Sequence, residues 1–405
     1  MVSRSPERSR SLALRIGAAW LICLTATTVG WGQPEGPLPA DPEAEAALLK
    51  DVGAGFSLKK TDNFLIAYNT RTSLVNQFAQ RIEWTYGAVY RFCENNGIPT
   101  KRPTRRLEVI FFDAPTAYYD HVHQLQIPAE GTFGIYHYRS NRSMFFDVSR
   151  HPDMLELEQG IAAAQVNIGE LQRQMREVRG RYTPVDITFA DGRQVRLTRD
   201  QVDQELRIAR GELKKLDSRR ISFNTRINRS VIQHEIAHQV TFNAGILRID
   251  VDNPKWIVEG LALMFETPPG GHGMGISGTN TMRLEDFRNA ISGGDASVKQ
   301  STAEYLQAVE AGRIPSLHEL ISDSRLFEAR GEDGATAYAC TWALTHYLVR
   351  RDTPNLVAYL KALAERPAHE TIPPSEELTL FEKHFGRIDD LFIDNFCRYI
   401  LRIRL

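Results

Sequence analysis

The chain has 405 residues, of which 42% are hydrophobic, so it can bury a large core and is expected to fold into two or three lobes. Its 49 basic and 50 acidic residues leave a net charge of −1, which gives no indication of a nucleic acid or an anionic membrane surface as a partner. Beyond Cys23, the cysteines match no zinc-knuckle or CxxC spacing. We expect buried thiols, with a single disulfide as the alternative, for Cys93, Cys340 and Cys397.

Residues 1–32 have the pattern of a secretory signal peptide. Four arginines precede an apolar run at Ile16–Val29, and Gly30-Trp31-Gly32 places small residues where a signal peptidase cuts. The prediction is a secreted or periplasmic protein. The apolar run is short for a membrane-spanning helix, so an uncleaved N-terminal anchor is the alternative. Residues 33–55, which begin with a stretch rich in proline and acid, are predicted to be a linker.

Residues 56–150 are predicted to form a small N-terminal α/β lobe. Apolar periodicity predicts, in order, a strand at 63–69, a helix at 74–95, a strand at 106–112, a helix at 115–124 and a β-hairpin at 131–138 and 142–148. Lone histidines more often lie at the surface or form hydrogen bonds than bind metal. We expect this of the three in the lobe, His121, His123 and His137.

Residues 151–220 are predicted to be an insertion, an antiparallel coiled-coil arm over Leu155–Arg219. Apolar residues alternate at spacings of three and four in two long segments, as in heptad seams. Between the segments, Val185–Phe189 and Gln194–Leu197 flank Asp191-Gly192, a strong hairpin signal. The arm could gate a cleft, contact a protein partner, or be a passive insertion.

Val231–Val240 contains an HExxH motif at His234–His238. Its flanks are apolar and lack glycine and proline, which favours a helix. Residues four apart lie on one face of a helix, so His234 and His238 can offer two imidazole nitrogens to one zinc ion. Glu235 is then placed to hold the water that zinc activates.

A third metal ligand is predicted at Glu259, 21 positions after His238. Gly245 suits the left-handed cap of the first helix, and the intervening chain is long enough for an antiparallel return helix. A carboxylate there completes a His-His-Glu set and leaves a fourth zinc position open.

Glu266, seven residues on, is expected two turns along the same face. It could bond a ligand histidine or be an ordinary surface glutamate.

The sequences HEIAH and WIVEGLALMFE together resemble the gluzincin metallopeptidases, which combine HExxH with a downstream glutamate in a Trp-x-x-Glu-Gly-x-Ala setting. The resemblance implies that His234, His238 and Glu259 bind zinc and that Glu235 is the general base. More narrowly, the chain resembles a family of secreted bacterial proteins of unknown function with this same core. That likeness is expected to include the N-terminal lobe, Asn280, Arg283 and the FEKHFG stretch.

Residues 221–290 are predicted to be the zincin-like helical catalytic core and residues 291–405 a helical C-terminal lobe. The loop Gly270–Gly278 could act as a lid, with His272 incidental in it. Helices are expected at 315–321, 335–350, 355–364, 378–385 and 388–400. Gluzincins use a tyrosine or histidine from a later helix to bond the developing oxyanion, and the resemblance favours Tyr338 for this. His346 and Tyr347 are alternatives, and Tyr338 could instead be a core aromatic residue.

The sequence thus predicts an α+β protein that acts as a secreted zinc-dependent peptidase on peptide or protein substrates. By resemblance, the β-hairpin Phe133–Phe146 is the candidate edge for binding a substrate strand, with an ordinary sheet element as the alternative. The absence of a G-x-M-E-N sequence slightly favours endopeptidase action. Two other functions fit the same motif: a non-catalytic zinc-binding scaffold that uses the arm, and a zinc hydrolase of a non-peptide amide or ester.

Overall fold

The computed structural model describes residues 36–128, 131–177, 180, 182–225, 230–267, 278–295, 297–298, 300–328 and 332–404. The predicted signal peptide, residues 1–32, and His272 lie outside them. Within the described part, many helices and a small sheet give an α+β fold, which confirms the predicted class. No helix in that part combines the length and the apolar character needed to cross a membrane.

The N-terminal lobe is built on a mixed sheet of five strands. They are β1 (Ser57–Lys60), β2 (Phe64–Tyr68), β3 (Leu107–Phe112), β4 (Gly134–His137) and β5 (Arg142–Phe146), in the order β1-β2-β3-β5-β4. The three inner strands run parallel, and β1 and β4 pair antiparallel at the two edges. Helix α2 (Thr72–Asn96) packs on one face and α3 (Pro115–Gln124) on the other, so every residue of β3 is buried.

Part of the predicted linker is instead a helix, α1 (Pro42–Val52). Asp41 caps it by accepting a hydrogen bond from the amide of Ala44 at 3.0 Å, and Leu48 is fully buried on the α3 face of the sheet. The prediction of a linker over 33–55 was therefore wrong for these residues. The acidic residues that suggested a flexible segment lie in the first turn of α1, where carboxylates interact favourably with the helix dipole.

The predicted arm consists of two long helices that pack against each other, α4 (Pro152–Glu177) and α5 (Arg199–Thr225). A two-stranded hairpin, β6 (Val185–Thr188) and β7 (Gln194–Leu197), connects them. The arm has a small apolar core of its own, which includes Leu171, Ile187, Val202, Leu206 and Ala209. The helices and the hairpin lie where the heptads and the Asp191-Gly192 turn predicted them; the role of the arm stays a prediction.

The remaining described chain is helical. Its helices are α6 (Ile232–Asn243), α7 (Lys255–Leu263), α8 (Thr281–Ser292), α9 (Thr302–Glu310), α10 (Leu317–Ser322), α11 (Glu332–Arg351), α12 (Thr353–Ala364), α13 (Pro374–Phe385) and α14 (Asp390–Ile400). One continuous core joins them to the α2 face of the sheet. Three cysteines in this core are buried and unpaired, as the preferred interpretation expected: Cys93, Cys340 and Cys397.

Candidate metal centre

Helix α6 is fixed to the sheet by a buried glutamine. The side-chain amide of Gln239 donates to the backbone oxygens of Glu108 at 2.9 Å and Asn141 at 3.0 Å. Its oxygen accepts a hydrogen bond from Ser143 Oγ at 2.9 Å. Because Gln239 is fully buried, these bonds set the rotation of α6 relative to the sheet, and with it the direction of the histidines of the HExxH motif.

Helix α7 packs against α6 and brings Glu259 close to the two histidines. Gly245, with φ of +70°, ends the first helix as predicted. Behind Glu259, Gly260 lets α7 approach α11 closely, since a Cβ added at Gly260 would lie 2.0 Å from Thr345 Oγ1. The side chain of Gln233 then holds the chain after α7 by donating to the backbone oxygen of Phe265 at 2.7 Å.

Three ligand atoms converge where the sequence predicted a metal site. His234 Nε2 lies 3.0 Å from His238 Nε2 and 3.1 Å from Glu259 Oε2, and His238 Nε2 lies 3.4 Å from Glu259 Oε2. All three residues are buried, and together they could hold a metal ion. Ligand atoms about 2.1 Å from a tetrahedral metal are spaced by roughly 3.4 Å, so the observed triangle fits one small ion with only slight expansion.

The charges of the cluster are strongly coupled. Burial disfavours the charged form of His234, but hydrogen bonds to Glu259 and Glu266 outweigh burial and raise its pKa to about 10. Burial would raise the pKa of Glu259, and the two histidines hold it well below its ordinary value instead. The cluster therefore offers an ionised carboxylate, and a metal ion must compete with a proton for His234.

Glu266 contacts the ligand set by a different route from the one predicted. Helix α7 ends at Leu263, so the expectation that Glu266 continues the same helical face was wrong. The chain turns after the helix, and Glu266 Oε1 lies 3.3 Å from His234 Nδ1. Arg283 donates to Glu266 at 2.8 and 2.9 Å, and Asn280 donates to it at 3.0 Å. Both donors lie at the start of α8, so this helix fixes the carboxylate that orients His234.

Replacing Glu266 by glutamine is expected to weaken metal binding roughly tenfold to a hundredfold, because an amide orients and polarises a ligand histidine less well than a carboxylate. Competition with a chromogenic chelator measures the change. Glu285→Gln, on the exposed face of α8, is the matched control. An unchanged metal affinity in a folded Glu266→Gln protein would contradict the role given to Glu266.

Glu235 lies beside the ligands and is bonded to the edge of the sheet. Its Oε2 accepts a hydrogen bond from the backbone amide of Tyr136, on β4, at 2.8 Å. Burial raises the pKa of Glu235, although the neighbouring histidines and the Tyr136 amide act in the opposite direction. A carboxylate with a raised pKa beside a metal site is well suited to take up and release a proton.

A cleft of about 1210 Å³ opens over the three ligands and Glu235. The edge strand β4 lines this cleft, so the edge that was predicted to bind a substrate strand lies beside α6. Tyr338, on α11, also lines it, with its ring centroid 6.2 Å from that of His234 and the Arg283 guanidinium 5.7 Å from its own. The charge of Glu259, followed by burial, raises the pKa of Tyr338, so its phenol stays protonated and can donate a hydrogen bond.

The two alternatives to Tyr338 lie elsewhere. His346 is buried, with its ring 5.0 Å from that of Trp342 and its Nδ1 3.3 Å from the hydroxyl of Tyr399. Tyr347 lines a different groove, between α11 and α14. Neither lines the cleft over the metal site, so the structure does not place either of them where it could contact a substrate bound there.

Burial of His346 predicts a loss of stability in mild acid. Its pKa falls from 6.5 to about 4 on folding, mainly because burial disfavours the imidazolium ion. Below pH 6.5 the unfolded chain therefore binds a proton that the folded protein does not, and stability falls by about 2 kcal/mol between pH 7 and pH 5 from this residue alone. Denaturant unfolding of His346→Gln is expected to show a correspondingly smaller loss.

The matched control for His346→Gln is His318→Gln, on the surface of α10, which is expected to keep the wild-type pH dependence. Equal losses of unfolding free energy in His346→Gln and the wild type would contradict the assignment.

Comparison with known proteins finds one family. A family described as "Protein of unknown function (DUF1570)" matches residues 228–370. That stretch contains the three ligands, Glu235, Glu266, Arg283 and Tyr338, but not the N-terminal lobe or the FEKHFG stretch, to which the likeness was expected to extend. Neither a curated protein nor a solved structure matches the chain. The chain is thus similar, over its candidate metal centre, to an uncharacterised family.

Proposed function

We propose that the protein is a zinc-dependent peptidase of the gluzincin type. The observation that carries the proposal is the convergence of His234, His238 and Glu259 next to Glu235 at the floor of a cleft. Two imidazoles and a carboxylate that leave one position open are the ligand set of catalytic zinc sites. The HExxH motif with a glutamate in Trp-x-x-Glu-Gly-x-Ala sequence supports the same assignment.

When bound by His234, His238 and Glu259, zinc would supply Lewis acidity toward water and toward a carbonyl oxygen. Glu235 takes a proton from the attacking water and passes it to the nitrogen of the leaving amine. Tyr338 donates a hydrogen bond from its hydroxyl to the carbonyl oxygen as that oxygen becomes negative. Glu266, held by Arg283, keeps the His234 ring in the orientation that presents Nε2 to the metal.

The position of β4 favours a peptide over a small amide or ester as the substrate. β4 is an edge strand that lines the cleft, so its outward backbone groups can pair with an extended peptide. The amide of Tyr136 on this edge is already bonded to Glu235, so a peptide pairs with the other outward backbone groups of β4. A peptide that adds to this edge lies across the metal centre. The pattern of residues 1–32 supports an activity outside the cytoplasm.

A cleavage assay tests the proposal. The purified, zinc-loaded protein is incubated with a mixed-sequence peptide library, with and without a chelator, beside Glu235→Gln. We expect chelator-sensitive cleavage that Glu235→Gln lacks while it still binds zinc. Glu328→Gln is the matched control, because Glu328 lines the same cleft but lies outside the metal cluster.

Stoichiometric zinc without cleavage of any library peptide would overturn the assignment as a peptidase and favour a scaffold. Failure to bind zinc in metal-replete buffer would overturn the metal assignment as well.

A further inference from the structure

A second, smaller pocket of about 270 Å³ adjoins the metal centre. The pocket and the main cleft share His238 and Glu259, so the pocket opens directly beside the metal ligands. Its other walls are largely apolar, from Phe242, Ile249, Val251 and Val258. This volume is that of one large side chain, and apolar walls of this kind favour an aliphatic or aromatic group.

Lys255 lies at the junction between the pocket and the cleft and lines both. It precedes Glu259 by four residues on α7, so the two side chains share one helical face. Lys255 is exposed and forms no ion pair with any described residue. The one acidic residue of the pocket besides Glu259 is Asp252, whose Oδ2 already accepts a hydrogen bond from the Ile372 amide at 3.0 Å.

Among the described residues that line the pocket, Lys255 is the one with a permanently charged basic side chain. Arg139 lines the main cleft, but it does not line the pocket, and its guanidinium lies 5.8 Å from the ring centroid of Tyr138. The pocket therefore combines apolar walls, two metal ligands and one available ammonium group. A group that fills the apolar pocket, lies beside the metal ligands and pairs with the ammonium group has an apolar side chain with a carboxylate next to it.

We propose that Lys255 binds a substrate carboxylate while the adjoining pocket holds the apolar side chain beside it. This inference rests on the proposed function, because it concerns which substrate residue the peptidase prefers next to the cleaved bond. A carboxylate in this position can be the C-terminus of the peptide, which would make the enzyme an exopeptidase, or the side chain of an adjacent acidic residue. A salt bridge at an exposed lysine contributes up to about 1 kcal/mol, so a preference of about fivefold is expected.

A binding measurement tests the inference without any turnover. The probes are 3-phenylpropanoate and its uncharged analogue 3-phenylpropanamide, titrated into the full-length protein with and without zinc. In the zinc-free state the wild type is expected to prefer the carboxylate by about fivefold, Lys255→Arg to keep the preference, and Lys255→Met to lose it. With zinc, the open metal position also binds carboxylates, so both proteins are expected to prefer the carboxylate. Lys361→Met, on α12 outside both cavities, is the matched control. An equal preference in zinc-free Lys255→Met and the zinc-free wild type overturns the inference, because the carboxylate then binds elsewhere.

Cleavage of three matched peptides distinguishes the source of the carboxylate. One ends in phenylalanine with a free carboxylate, one in phenylalanine amide, and one continues from phenylalanine to glutamate amide. Faster cleavage of the first alone, lost in Lys255→Met, assigns the C-terminus; faster cleavage of the third assigns an acidic side chain. Equal, zinc-dependent cleavage of all three overturns the inference and leaves the proposed function standing. If none is cleaved, the peptidase assignment fails for these substrates and the binding measurement still decides the role of Lys255.

Discussion

Replacing Gly260 by alanine is expected to destabilise the protein by about 3 kcal/mol and to weaken metal binding at the same time. The added Cβ would lie 2.0 Å from Thr345 Oγ1 and 3.1 Å from Thr345 Cβ. Thr345 is on α11 and is fully buried, so its side chain cannot swing into solvent. The helices α7 and α11 must therefore separate, and Glu259, the residue before Gly260, moves with α7 away from the two histidines.

Two further variants make the test of Gly260 specific. Gly211→Ala is the matched control: it lies in the middle of α5 with nothing within 4 Å of an added Cβ, and it is expected to stabilise the helix by about 1 kcal/mol. Adding Thr345→Ala to Gly260→Ala removes the closest contact and is expected to recover part of both losses. Denaturant unfolding and chelator competition measure the two effects. Wild-type stability and metal affinity in Gly260→Ala would show that the helices do not pack as closely as described.

The candidate metal centre was largely predictable because its first two candidate ligands are close together in the sequence. The spacing of His234 and His238 requires only that Val231–Val240 be helical, and the apolar pattern favours a helix there. The assignment of Glu259 as the third ligand rested more on the resemblance of its motif to that of the gluzincins than on a physical argument. The spacing alone shows only that the chain between His238 and Glu259 is long enough for a second helix to pack beside the first. Gly260, the residue after Glu259, must lack a side chain because it packs against Thr345, 85 residues later in the chain. No local sequence pattern shows that contact.

Other parts of the site depend on contacts between distant segments. Gln239 reaches the backbone of Glu108, 131 residues earlier in the chain, and nothing in the sequence around either residue indicates this bond. The error over Glu266 came from extending α7 past its real end at Leu263. The helix α1 was missed because its proline and acidic residues also occur in flexible segments, and only the burial of Leu48 distinguishes the two.

Helical geometry alone could have separated Tyr338 from one of its rivals. At about 100° per residue, Tyr347 lies roughly 180° around α11 from Tyr338, and His346 about 80°. Tyr347 therefore cannot share the Tyr338 face, and it contacts Phe396 and Tyr399 instead. The sequence did not show which face of α11 lines the cleft, because that depends on how α11 packs on α7 and α8.

Replacing Tyr338 by phenylalanine is expected to lower kcat on the order of a hundredfold while leaving KM and zinc affinity nearly unchanged. The phenol is held protonated by the nearby charge of Glu259 and by burial, so it is a hydrogen-bond donor at neutral pH. Its hydroxyl contributes little to binding of the ground state if it bonds the substrate oxygen only as negative charge develops. Phenylalanine keeps the ring that packs against Phe327 at 5.7 Å and removes only the donor.

Tyr347→Phe on the same helix is the matched control, because Tyr347 lines a groove apart from the metal site, and it is expected to keep full activity. Steady-state kinetics on one cleaved peptide, together with chelator competition, separates the possible outcomes. A kcat near that of the wild type in Tyr338→Phe would remove Tyr338 from the reaction and leave it as an aromatic wall of the cleft. A large rise in KM at constant kcat would instead mean that the hydroxyl binds the substrate equally in its ground and transition states, which is a binding role. Only a loss confined to kcat supports the donor role, because the interaction must then form as the carbonyl oxygen becomes negative.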